Sequence, residues 1–318
     1  MVANRTLILT TATTYRWPVL APFFVSLQRT GYQGDVVMLV EDKWLTPADH
    51  AHFKAAGART MSIYPWLSRI PARIRKVRFH RRLGWLHRCL PMLAGALPGG
   101  MHSRRRRRDL AATWFHPIMS ARLFFYRRLL DQCRQDYDTV ILCDVRDVIF
   151  QTAPDRWTSG APLNVFLEPP QNTLEAEPNN ARWIRLLYGE RTLAQLGSRR
   201  VSCAGVVHGT IEGVIGYLDA MTEALIPKTT CIAGENSFDQ GVHNYLLHSD
   251  RLPEAQIWEN GDGLALNMCG IDVNQFQPDD QGIIRTSSGT AIPLIHQYDR
   301  HPALNDRLLG GLGLSSPH

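Results

Sequence analysis

The 318 residues contain six cysteines, Cys89, Cys133, Cys143, Cys203, Cys231 and Cys269, and no CxxC pair. That absence removes the usual zinc-finger and dithiol-redox spacings. With Cys143 and Cys203 in apolar, strand-like surroundings, the thiols read as reduced and buried, as in a cytoplasmic protein. No run of about 18 apolar residues occurs, so no segment is expected to cross a bilayer as a helix. The opening stretch MVANRTLILTTATTY has too short an apolar run and too many threonines for a secretion signal. No glycine occurs in TTATTYRW after the first apolar run, and no internal repeat is visible. Between Arg73 and Arg108 there is no acidic residue at all.

What is present excludes disorder. Apolar residues make up 44% of the chain, enough for a substantial core. A formal net charge of +6 favours an anionic partner: nucleic acid, a phospholipid surface or a phosphorylated small molecule.

Strand-like and helix-like stretches alternate, the pattern of an α/β sheet with helices on both faces. Strands are expected at Thr6 to Thr11, Asp35 to Val40, Arg59 to Tyr64, Thr139 to Cys143, Leu163 to Leu167 and Pro293 to His296. Between them lies a helix over Trp17 to Arg29, with Leu20, Phe23, Phe24 and Leu27 at helical spacing. A second starts at Thr46 and Pro47 and stops at Gly57. Another is expected over Pro117 to Gln135, and two more begin near Thr210 and Asn236. Rising glycine and proline content makes the chain beyond Gln256 loop-rich. The organisation reads as one domain over residues 1–300, with an insertion over 66–110 and a tail over 301–318.

The insertion is the compositional anomaly. Seven basic residues from Arg73 to Arg88 are followed by the run Arg104 to Arg108, with Ile74, Val77, Phe79, Leu83, Trp85 and Leu86 interleaved. A basic amphipathic segment suits an anionic bilayer, and residues 73–108 are expected to hold the protein peripherally on the inner face of the plasma membrane. Phosphate gripping with base stacking on nucleic acid, or a plain solvated loop, would use the same composition.

ILCDVRDVIFQ, residues 141–151, carries the chemistry. In an α/β sheet, ligands collect beyond the carboxyl ends of the strands, where Asp144 and Asp147 stand. Carboxylates leave water only at a cost unless something pairs with them. Two from one turn suit Mg²⁺ or Mn²⁺, which take oxygen ligands and keep positions open for phosphates. The bland alternative is a turn cap and a surface pair with Arg146 or Arg156. On the helix before this strand, Arg122 and Tyr126 lie one turn apart, spaced to reach a diphosphate and a base or simply to pack. Asp239 lies beside the apolar stripe Phe238, Val242, Tyr245 and Leu246.

These stretches together resemble the GT-A glycosyltransferases, in particular the glycogenin-like and lipopolysaccharide galactosyltransferase-like group. DVRD resembles their acidic metal motif, SCAGVVHGT their small-residue donor segment, ENSFDQGVHNYLL their DQ helix, and HQYDRHP their late metal histidine. The resemblance runs from Thr6 to about His301, apart from the insertion. It implies a Rossmann-like mixed sheet and an enzyme that moves a sugar from a nucleotide-diphosphate donor, such as a UDP-sugar, to a hydroxyl. Such an acceptor would be a glycan or lipid-linked precursor of a cell-surface polysaccharide or glycolipid. By the same resemblance Asp144, Asp147 and His296 hold the metal, and Asp239 and Gln240 serve the sugar and the reaction centre. Thr10, Thr11, Ala12, Arg122, Tyr126, Val145, Arg146, Ala204 and Gly205 would line the donor site. The sequence departs from the motif at Arg146, where the second carboxylate usually stands, which opens a metal-free route with Arg146 on the diphosphate. Two other classes remain: a sugar nucleotidyltransferase, disfavoured by the glycine-free TTATTYRW, and a nucleic-acid-binding protein resting on the arginine run alone.

Overall fold

The computed structural model describes residues 5–63, 84–231, 238–279, 282–286 and 288–315. Thr6–Ala12 (β1), Trp17–Arg29 (α1), Asp35–Val40 (β2), Pro47–Ala55 (α2) and Ala58–Ser62 (β3) alternate as expected. Three consecutive helices follow, Gly84–Ala96 (α3), Met101–Phe115 (α4) and Ile118–Gln132 (α5), leading to Thr139–Cys143 (β4) and Val148–Phe150 (β5). Next come Leu163–Leu167 (β6), Pro178–Tyr188 (α6), Glu190–Leu196 (α7), Ser202–Thr210 (β7) and Ile211–Leu225 (α8). Asp239–His248 (α9), Ala255–Trp258 (β8), Ala265–Asn267 (β9), Leu294–His296 (β10) and Pro302–Gly311 (α10) complete the order.

Seven strands form a mixed sheet in the order β3-β2-β1-β4-β7-β6-β8. The first four pair in parallel, whereas β7 runs antiparallel to both β4 and β6. Helices cover both faces, as strands this apolar require. In β1 the period-2 alternation sends Leu7 and Leu9 to a core shared with α5, α8 and α9, and Ile8 to one shared with α1 and α2. Chain direction between neighbouring connections reverses at β1 and β4, whose carboxyl ends open the crevice of a Rossmann-like fold.

Local signals explain where elements begin and end. Thr46 and Asp49 form a reciprocal capping box at the start of α2, and Gly57, at φ +78°, ends it in a conformation that costs glycine nothing. The strand expected to reach Tyr64 stops at Ser62, and Tyr64 lies outside the described residues. The helix expected over Pro117 to Gln135 runs from Ile118 to Gln132, with Pro117 as its cap. α9 starts at Asp239, and Asn236 lies outside the described residues. Cys143 and Cys203 are buried free thiols, but Cys89 is exposed, against the reading of buried cysteines.

Two further points concern the insertion and the residues beyond 300. Of the insertion, residues 66–83 lie outside the described residues; the rest is α3 and the start of α4, which pack on each other with Gly95 against Arg108. The arginine run is partly structural. Arg107 donates to the carbonyls of Ala94, Leu97 and Pro98, satisfying the exposed end of α3. Arg105 pairs with Asp219 and Arg108 with Glu223, clamping α4 to α8. Residues 301–315, read as a tail, instead carry α10. Its Leu304, Leu308 and Leu309 close a core over a second, three-stranded sheet, β5-β10-β9, while Arg29 donates to the Gly311 and Leu312 carbonyls. No described helix is long and apolar enough to cross a membrane.

That packing is testable. Leu309, 1% exposed, should cost roughly 2–5 kcal/mol on replacement by alanine, measured by urea denaturation. A change within about 0.5 kcal/mol, the range of a surface position, would return α10 to the status of a tail.

Candidate functional site

The second sheet is what brings distant residues together. β5 follows β4 after a four-residue turn, so Asp144 and Asp147 sit where the chain passes from one sheet to the other. β10 pairs antiparallel with β5 and sets His296 opposite Val148, next to Asp147. The Asp144 amide donates to the Gly205 carbonyl on β7 (2.9 Å), and the Gln297 amide to the Asp147 carbonyl (2.7 Å). Backbone bonds thus fix all three corners.

The side chains are oriented as precisely placed pairs. Asp144 gives Oδ1 to Arg122 Nη1 (2.5 Å) and turns Oδ2 toward His296 Nε2 (3.7 Å). Asp147 gives Oδ2 to Arg146 Nη2 (2.8 Å) and turns Oδ1 toward the same nitrogen (3.6 Å). On the far side of the ring, His296 Nδ1 faces Asn267 Oδ1 at 2.9 Å, its register partner on β9. A carbonyl oxygen accepts, so Nδ1 carries the proton. Nε2 is then the buried atom left over, without a hydrogen-bond partner among the described residues. This is the orientation of a metal-ligating histidine, Nδ1 held by an outer hydrogen bond and Nε2 turned to the ligand side.

Asp144, Asp147 and His296 therefore form a buried group that can hold a metal ion, with ligand atoms all within 4.8 Å of one another. Gly205 tests the fit: a Cβ there would lie 2.5 Å from His296 Cε1 and 3.0 Å from Asp144 Oδ2, so only glycine lets β7 approach. Arg146 stands where the motif's second carboxylate usually does. It bridges Asp147 and Asp299 (2.5 Å) and lies over the ring of Tyr15.

Electrostatics follow from burial. Asp144 would be pushed up by desolvation, but Arg122 and His296 outweigh that and hold it well below the usual carboxylate range. In Asp147 burial wins over His296, and the pKa is raised. His296, lowered by burial, is raised well above its ordinary value by Cys203, Asp144 and Asp147 together. A proton and a metal would compete for Nε2, so a cation held there would bind more weakly as pH falls.

A cleft of about 630 Å³ opens over this group. Its lining carries five carboxylates, Asp144, Asp147, Glu168, Glu177 and Asp239, against three arginines, Arg122, Arg146 and Arg300, a formal surplus of two negative charges. Arg122 stands between Asp144 and Asp239, reaching the latter at 3.5 Å. Burial pushes Asp239 up to about 6, with Arg122 opposing.

Thr11, Arg122, Asp144, Val145, Arg146, Asp147, Ala204, Gly205, Asp239 and Gln240 all line the cleft, with His296 buried beneath. Three expected donor residues do not. Thr10 and Ala12 are buried within β1, because alternation turns only Thr11 outward. Tyr126 is buried behind Thr11 and bonds its hydroxyl at 2.6 Å. Sequence reasoning missed Glu168, which is 3% exposed, bonded to Asn172 (2.8 Å) and near Gln240 (3.4 Å). Its signal was available: like Asp144, it is an acid placed directly after an apolar strand. Glu177, Asn180 and Trp183, from the start of α6, were missed too.

Comparison of the chain with protein-family models gives no match, and comparison with curated proteins gives none either.

The Asp239 titration gives a sign that can be checked. An acid whose native pKa exceeds its unfolded value stabilises the fold fully below the unfolded value, near 4, and loses that contribution as pH rises through about 6. From pH 5 to 7.5, unfolding free energy of the native chain should therefore fall by roughly 1–2 kcal/mol relative to Asp239→Asn. Denaturant titrations at both pH values measure it, and parallel curves would mean Asp239 is ionised throughout.

Proposed function

We propose that the protein is a glycosyltransferase of GT-A type that transfers a sugar from a nucleotide-diphosphate donor to a hydroxyl acceptor. The observation that carries this reading is the convergence of Asp144 Oδ2, Asp147 Oδ1 and an unpartnered His296 Nε2 under a cleft of nucleotide-sugar size, closed from behind by the bare backbone of Gly205.

Two carboxylates with one imidazole suit Mn²⁺ or Mg²⁺, with Mn²⁺ the better match to the nitrogen ligand. Such a cation, when bound, would act as a Lewis acid on the diphosphate oxygens of the leaving group. The cleft's lining, five carboxylates against three arginines, disfavours a bare polyanion and suits a diphosphate that arrives with a dication.

The remaining groups have definite tasks. The bond from the anomeric carbon to the diphosphate oxygen breaks, and one to the acceptor oxygen forms as that oxygen loses its proton. Arg300, on the cleft wall, meets phosphate oxygens, for which guanidinium forks are suited, and Arg146 joins it only by loosening its hold on Asp147 or Asp299. Arg122 is consumed by Asp144 and Asp239 and serves to keep them apart and in place. Asp239, ionised above about pH 6, faces the cleft where positive charge builds on the sugar, and Gln240 offers its amide to sugar hydroxyls. Glu168 beside Gln240 is a second carboxylate for hydroxyl recognition or proton acceptance. The nucleotidyltransferase alternative lacks a glycine-rich loop after β1, where the chain reads TTATTYRW.

A panel of nucleotide sugars tested for thermal stabilisation, with and without Mn²⁺, decides the matter. One donor with Mn²⁺ should raise native stability by about 2.7 kcal/mol at a hundredfold excess over its dissociation constant. Asp147→Asn and Gly205→Ala should abolish that gain, the second by displacing the imidazole. Asp239→Asn should bind the donor yet lose about 100- to 1000-fold in kcat. Stabilisation by a donor that ignores both Mn²⁺ and Asp147→Asn would remove the metal from the reading, and no response to any nucleotide sugar would remove the reading itself.

A further inference from the structure

Among the described residues ten large apolar side chains are exposed, and five of them, Leu90, Met92, Leu93, Leu97 and Met101, fall within twelve consecutive positions. Leu90 and Leu93 have the spacing of one helical stripe on α3, Leu97 stands just past its end, and Met101, 81% exposed, opens α4 across the short turn. The stripe faces away from the core. From Cys89 to Ser103 the chain has no charged residue, after which five arginines follow at once. Isolated exposed leucines need no explanation, but a cluster of this kind marks an interaction surface.

Charge decides the partner. Arg105, Arg107 and Arg108 are consumed within the fold, by Asp219, by the end of α3 and by Glu223. Arg104 and Arg106 are exposed and have no ion pair among the described residues. Arg104 lies one turn after Met101, and both line, with Met92, a groove of about 840 Å³ that also takes in Arg127 and Asp131 of α5 and Glu223 of α8. We propose that the α3–α4 hairpin seats the protein on an anionic lipid surface, with its leucines and methionines entering the boundary between headgroups and acyl chains and Arg104 and Arg106 meeting lipid phosphates. The uncharged stretch is too short to span a bilayer and of a length suited to lying within one leaflet.

Two competing occupants fit less well. In a two-fold pairing of this face with a second copy, the free arginines beside the apolar stripe would be brought toward their own counterparts. Single-stranded nucleic acid is held by aromatic rings alternating with cations, and the exposed apolar side chains of this patch are leucine and methionine. The proposal does not rest on sugar transfer: vesicle binding is read without activity, and its failure would leave the cleft untouched.

The full chain should be floated with vesicles of phosphatidylcholine alone and of phosphatidylcholine mixed with phosphatidylglycerol, at low and high salt. Binding is expected to the anionic vesicles and to weaken with salt. Arg104→Gln with Arg106→Gln should lower the partition coefficient roughly thirtyfold, about fivefold for each cation. Leu93→Glu with Met101→Glu should remove binding even at low salt. Both pairs alter exposed side chains, so an unchanged thermal midpoint will show that the fold is retained. Equal binding to neutral and anionic vesicles would overturn the proposal, as would binding unaffected by either pair. So would a dimer in size-exclusion chromatography that Leu93→Glu with Met101→Glu dissociates while vesicles are ignored.

Discussion

A carboxylate held out of water needs a partner for each oxygen, and this requirement organises the edge of the main sheet. Asp144 and Asp147 each place one oxygen on an arginine and present the other to a common centre. The arginines are shared in turn, Arg122 with Asp239 and Arg146 with Asp299. Those pairs tie four parts of the chain to one point: α5, the turn after β4, α9 and the segment that follows β10. Breaking one partner leaves a buried charge exposed to its like-charged neighbours, which is why the assembly is held as a unit rather than as separate salt bridges.

The histidine shows how chain geometry converts this into a ligand set. β9 and β10 run parallel, so Asn267 comes level with His296 and accepts its Nδ1 proton. Nε2 is left pointing at the two free carboxylate oxygens. Direct hydrogen bonds across that gap are too long at 3.6 and 3.7 Å, and a cation placed between them shortens every contact at once. Burial lowers the pKa of the imidazole, and Cys203, Asp144 and Asp147 outweigh it and favour a proton there. The same pocket can therefore be neutralised in two ways, by a proton or by a metal.

Legibility in the sequence followed range. DVRD was readable because an acidic turn after an apolar strand is a local pattern, and the capping pair Thr46 and Asp49 was readable for the same reason. The alternating strand pattern gave the layered α/β fold. What escaped was set by long-range contacts. The role of Asn267 depends on register between strands 29 residues apart. The arginine run looked uniformly available because Asp219 and Glu223, which neutralise part of it, lie 114 and 115 residues further on. Thr10 and Ala12 were placed in the cleft by proximity in sequence, whereas strand alternation admits only Thr11. Glu168 carried a local signal equal to that of Asp144, but without a second acid nearby it did not stand out.

Helix α5 relates the cleft to the apolar hairpin. Arg122, near its start, closes on Asp144 and Asp239, and Arg127, five residues later, closes on Asp219, the same carboxylate that holds Arg105 of α4. Five residues of helix rise about 7.5 Å. The cleft and the hairpin are thus anchored to one rigid rod less than two turns apart, the first through Arg122 and the second through the Asp219 carboxylate that Arg127 shares with Arg105. A surface that positions the hairpin also positions the cleft, with no flexible linker between them. The shared Asp219 is what makes the two readings cooperate: it draws α4 onto α5 and α8 with cations that would otherwise repel, and leaves only Arg104 and Arg106 of the run to face outward.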